Sequence, residues 1–134
     1  MAVTSVSDEE ATRILNGFQR DARAILEYLL PALRQRGFYP EASVDGWGDS
    51  RDGRGIASTV VLASPKWLKP QDRTKQLARV RLELSSSNAW MVIVSVVAQP
   101  DQLLAWPAAA DADWWADLRE RIRAQILEYH DTKS

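Results

Sequence analysis

Residues 77–98 read LARVRLELSSSNAWMVIVSVVA, two extended segments joined by a serine-rich turn. In the first, Ala78, Val80, Leu82 and Leu84 alternate with Arg79, Arg81 and Glu83, the period of two of a strand with one buried and one wet face. In the second, Ala89 to Ala98, only Ser95 is polar, so both faces are apolar, as in a strand inside a sheet. Because side chains alternate, the turn length decides which half of the second strand stands beside Arg79 and Arg81. An even turn, such as Ser85 to Asn88, places Trp90, Val92 and Val94 beside the arginines and leaves Met91 and Ile93 with Val80 and Leu82. An odd loop reverses this. The even turn is the expectation, and it creates a surface of Arg79, Arg81, Trp90, Val92 and Val94.

Working outward from this hairpin, Ile56 to Ala63 (IASTVVLA) is a strand rich in β-branched residues, and Phe38 to Asp45 reads as the strand before it. Between them lies DGWGDSRDGRG, whose four glycines and three aspartates suit a long hairpin loop. Residues 64–76, SPKWLKPQDRTKQ, carry two prolines and four basic residues and read as an irregular connection. After Pro100 the chain is expected to cross the sheet edge, with a short helical turn at Asp101 to Ala105 ending before Pro107.

Helices flank the strands. Ser7 and Glu10 match a capping box, and Ala11, Ile14, Leu15, Phe18, Ala22, Ile25, Leu26, Leu29 and Leu33 follow at three- and four-residue steps. Pro31 lacks an amide hydrogen and its ring crowds the carbonyl four residues back, so the helix should kink or end there, with Gly37 a left-handed stop. A last helix, capped by Asp111 or Asp113, buries Trp115, Leu118, Ile122, Ile126 and Tyr129. The predicted fold class is therefore α+β: a long N-terminal helix, a four-stranded antiparallel meander and a C-terminal helix, in layers, as a single domain over residues 1–134.

Composition narrows the function classes. The 134 residues are 46% hydrophobic and 26% charged, with no cysteine, which excludes disulfide and thiol chemistry. The start, MAVTSVSDEE, has neither a basic cluster nor an apolar run, so a cytoplasmic protein without membrane attachment is expected. Formal charge is minus one, unevenly placed. Residues 51–81 hold eight basic side chains against Asp52 and Asp72, a surplus of six, which leaves minus seven on the remainder.

No pattern specifies a reaction. His130 is the only histidine and has no adjoining nucleophile or carboxylate, so no catalytic residue is assigned and no enzyme is expected. Asp45, Asp49 and Asp52 depart from the calcium-loop spacing, and the glycine pairs around Trp47 and Arg54 match no phosphate-binding fingerprint. Neither metal nor cofactor is expected. What remains is binding: an apolar centre rimmed by arginine and tryptophan has the composition of a protein interface, for a partner protein or a homodimer. The alternative is nucleic acid, with Trp67 stacking on a base and Arg51, Arg54, Lys66 and Lys69 on phosphates.

Overall fold

A computed structural model of the chain describes residues 7–37, 39–51, 53, 55–63, 76–107 and 111–133, with His130, Thr132 and Lys133 as backbone only. The elements run α1 (Asp8–Glu27), α2 (Leu30–Gln35), β1 (Glu41–Asp49), β2 (Ile56–Ala63), β3 (Gln76–Leu84), β4 (Trp90–Val96), β5 (Gln102–Ala105) and α3 (Ala112–Lys133). The strands form one antiparallel sheet in the order β1-β2-β3-β4-β5, a meander of five strands rather than four.

Local chemistry sets the helix ends. The Ser7 hydroxyl accepts the Glu10 amide at 3.1 Å and opens α1. α1 stops at Glu27, the residue whose carbonyl the Pro31 ring would meet in a continuous helix, and α2 restarts with that proline in its first turn. Gly37, at φ 84°, ends α2 as its amide donates to the Arg34 carbonyl. At α3 the Asp111 carboxylate accepts the Trp114 amide at 3.0 Å.

The extra strand and the longer first strand correct the sequence expectation. β5, read as a helical turn, pairs with β4 through Met91↔Ala105, Val92↔Leu104, Ile93↔Leu103 and Val94↔Gln102. Ala98 makes the reversal possible by taking φ 61° in the turn between the two strands. β1 continues through the glycines to Asp49, because a bulge between Val44 and Gly46, with Gly46 at φ 97°, lets pairing resume at Gly46↔Thr59 and Trp47↔Ser58. The hairpin loop thus shrinks to Ser50–Gly55.

The central hairpin takes the odd register, contrary to the even turn. Ser85 and Ala89 still pair, since the Ser85 amide donates to the Ala89 carbonyl at 3.0 Å, and Asn88 donates to the Ser85 carbonyl at 3.0 Å. That leaves a three-residue loop, Ser86 to Asn88, closed by Asn88 in the left-handed region at φ 62°. Asparagine tolerates that conformation better than most residues. The pairs are therefore Leu84↔Trp90, Leu82↔Val92 and Val80↔Val94.

All described helices pack on the face these pairs define. Val60, Leu62, Val80, Leu82, Val92, Val94 and Val96 meet Leu15, Phe18, Ala22 and Leu26 of α1, Leu33 of α2, and Trp115, Leu118, Ile122 and Ile126 of α3. Phe18, Trp106, Trp114 and Trp115 form an aromatic cluster with ring centroids 5.0 to 6.0 Å apart, edge-to-face except for the tilted Phe18–Trp115 pair. Leu26 has no exposed surface. Leu26→Ala should destabilise the fold by about 2 to 5 kcal/mol, read as a lower denaturant midpoint at unchanged slope. Ala98→Gly should act oppositely and stabilise by about 0.5 to 1 kcal/mol, because glycine takes the left-handed turn without its penalty.

Candidate functional site

The odd register splits the predicted surface. Arg79 and Arg81 stand on the second sheet face, which no described helix covers, whereas Trp90, Val92 and Val94 point to the helix side. Val92 and Val94, 0% and 2% exposed, are core residues. The residues beside the arginines are instead Met91, Ile93 and Ser95. Across the strands Arg79 lies between Val61 and Ser95, and Arg81 between Thr59 and Ile93. Arginine stems commonly lie along such apolar neighbours. On the edge strand Leu103 continues the row and is 54% exposed.

Glu83 organises one end of this face. It is the inward member of the row Gly48, Ala57, Glu83, Met91, Ala105, and its side chain is 7% exposed. Arg51 Nε donates to Glu83 Oε1 at 2.9 Å and Arg81 Nε to Oε2 at 3.1 Å, so each carboxylate oxygen holds its own guanidinium. Arg81 also donates through Nη1 to Thr59 Oγ1 at 3.1 Å and through Nη2 to the Asp49 carbonyl. Its side chain is 17% exposed and every nitrogen is engaged. A buried carboxylate is tolerable here because both oxygens are charge-paired and hydrogen-bonded.

Arg51 reaches Glu83 because of the turn that carries it. The Ser50 hydroxyl accepts the Gly55 amide at 2.9 Å, the Gly53 amide donates to the Ser50 carbonyl at 2.8 Å, and Gly53 sits at φ 75°. Gly55 lies directly against the Leu84 backbone, where any Cβ would overlap the Leu84 carbonyl. That contact brings the Ser50–Gly55 turn beside the Ser85–Ala89 loop. Between them opens a pocket of about 480 Å³ lined by Ser50, Arg51, Glu83, Ser85, Ser87 and Met91, with Ala89. In the loop, Ser85 Oγ accepts the Ala89 amide at 3.2 Å and lies 2.8 Å from Ser87 Oγ.

The alternative anion set meets the structure at one point. Arg51 is in the pocket; Arg54, Lys66, Trp67 and Lys69 lie outside the described residues, as does Asp52 of the aspartate trio. Among the described residues no three histidine or acidic side chains converge as a metal site would require. No helix among them is long and apolar enough to cross a membrane. Ser85 and Ser87 touch no imidazole or carboxylate among the described residues that would activate them. Ser85, Ser87 and Met91 were not picked out as site residues by sequence, and the signal for them was the register: with an odd loop, Met91 falls opposite Glu83. No protein-family model, curated protein or solved structure matches the chain.

The buried carboxylate and the exposed arginine of this group should differ in their effect on stability. Glu83→Gln should destabilise by about 3 kcal/mol, because it leaves the buried Arg81 guanidinium without its counter-charge. Arg51→Gln should cost under about 1 kcal/mol, since Arg51 is 54% exposed. Denaturant titration of both variants reads the difference.

Proposed function

We propose that the protein is a non-catalytic binding module that holds another protein against the sheet face away from its helices, as an adaptor, inhibitor or chaperone does. The observation that carries this reading is that every described helix packs on one face of the sheet. Both long helices and α2 contribute to the core on one face, while the other carries the arginines beside Met91, the buried Ile93 and the exposed Leu103. Arginine and methionine are enriched at protein interfaces.

Charge points to an acidic partner surface. Arg79 makes no ion pair or hydrogen bond among the described residues, and Arg51 and Arg81 share the single carboxylate of Glu83. β5 adds a short edge strand, four residues long, beside this face. An exposed leucine on an unpaired edge is a feature that a bound partner would cover. We place the module in the cytoplasm on its cysteine-free composition.

The test starts from affinity capture with the purified chain, with and without nuclease, followed by binding measurements on the identified partner. The double variant Arg79→Glu, Leu103→Asp should weaken that binding at least tenfold with an unchanged circular dichroism spectrum. Arg23→Glu, on the exposed side of α1, should leave binding intact. Capture that disappears with nuclease would replace this reading with nucleic-acid binding. Sedimentation of the wild-type chain shows whether the partner is a second copy. Full binding by the folded double variant would overturn the proposal.

A further inference from the structure

Arg51 and Arg81 address one carboxylate, yet they are not equivalent. Arg81 has a protein acceptor for every nitrogen: Glu83, Thr59 and the Asp49 carbonyl. Arg51 uses Nε on Glu83 and one Nη2 hydrogen on Met91 Sδ at 3.0 Å. Of the five hydrogens a guanidinium carries, both on Nη1 and the second on Nη2 are left without an acceptor among the described residues. Arg51 is also the more exposed of the two and lines the pocket of about 480 Å³.

We propose that this pocket is a carboxylate-binding site, which receives an aspartate or glutamate side chain of the bound protein on the free donors of Arg51. The proposal rests on the protein-binding reading above and names the chemistry of the contact. Two guanidiniums on one carboxylate leave the triad with a single surplus positive charge. One incoming carboxylate cancels it. A phosphate monoester, at about −1.5 to −2, would overshoot it and face Glu83 with the excess. A phosphodiester chain needs a row of cations along its backbone, whereas Arg51 is the pocket's one guanidinium with free donors among the described residues.

The serine loop completes the site. With the Ala89 amide on Ser85 Oγ, the Ser85 hydroxyl donates to Ser87 Oγ when an anion is present, and the Ser87 hydroxyl hydrogen turns to the ligand. Met91 Sδ fixes the rotation of the Arg51 fork, so that its free edge is held ready before binding. Glu83 serves as a positioning residue, which fixes Arg51 without touching the ligand.

The probe is the blocked peptide acetyl-Gly-Glu-Gly-amide, titrated into the ¹⁵N-labelled full chain by NMR, with acetyl-Gly-Gln-Gly-amide as the neutral control. The glutamyl peptide should move the Arg51 Nε–H and Ala89 amide resonances saturably, and the glutaminyl peptide should not. Arg51→Gln should weaken the response at least tenfold, and Arg51→Lys should weaken it severalfold, because lysine keeps the charge but loses the fork. Equal response to both peptides, an undiminished response in folded Arg51→Gln, or tighter binding of inorganic phosphate or a thymidine hexanucleotide would overturn the proposal. The two readings fail separately. Partner binding that is lost in the Arg79, Leu103 double variant but accompanied by no peptide response removes the carboxylate site and leaves the face. A glutamyl response in a chain that captures no protein removes the partner.

Discussion

The strictest constraint on this fold is parity. Side chains on a strand alternate, so one residue more or less in the Ser85–Ala89 loop would exchange every residue of β4 between the two faces. Asn88, held at φ 62°, makes the loop odd. From that follow the burial of Val92 and Val94 under α1 and α3 and the placement of Met91 opposite Glu83. With the other parity, Met91 and Ile93 would face the helices and the Arg51 fork would lose its thioether contact. Core and pocket are thus set by one backbone conformation.

Features governed by local chemistry were legible from the residues. The Ser7 cap, the apolar stripe of α1, the break imposed by Pro31 and the extents of β2 and β3 need only neighbouring residues to be understood. The register of β4 was not, because both halves of that strand are apolar: hydrophobicity cannot choose between Trp90, Val92, Val94 and Met91, Ile93. β5 escaped notice because four residues beside two prolines carry too little alternation to announce a strand, and its pairing depends on an alanine in a conformation alanine rarely adopts. β1 was shortened because glycines that usually end a strand here build a bulge within one. The site suffered from the same gap. Arg51 lies 32 residues from Glu83 in the chain, and the pairing of β2 with β3 and the contact of Gly55 with Leu84 bring their turns together.

The Arg51, Glu83, Arg81 triad also bears on the sheet face that no described helix covers. A large exposed apolar patch on a sheet face is an association hazard. Here one end of the face carries a buried charge whose geometry is satisfied at both oxygens, and a packing arrangement that displaced either arginine would have to strip those bonds. The ionic group thereby favours one arrangement of the face over its competitors. Arg81 is fully engaged within the protein, whereas Arg51 keeps donors for other contacts.

The core is assembled from both ends of the chain. Phe18 of α1 lies against Trp115 of α3, and Arg36 pairs with Asp131 at 3.2 Å across 95 residues of sequence. During synthesis, then, the sheet emerges from the ribosome with much of one face still wet. Until α3 has cleared the exit tunnel, Val92, Val94 and the flank of α1 lack the cover that α3 supplies. A nascent chain stalled before Ala112 would present those valines to chaperones or to other nascent chains, so a vulnerable interval runs from the completion of β4 to the completion of α3, a helix of 22 residues.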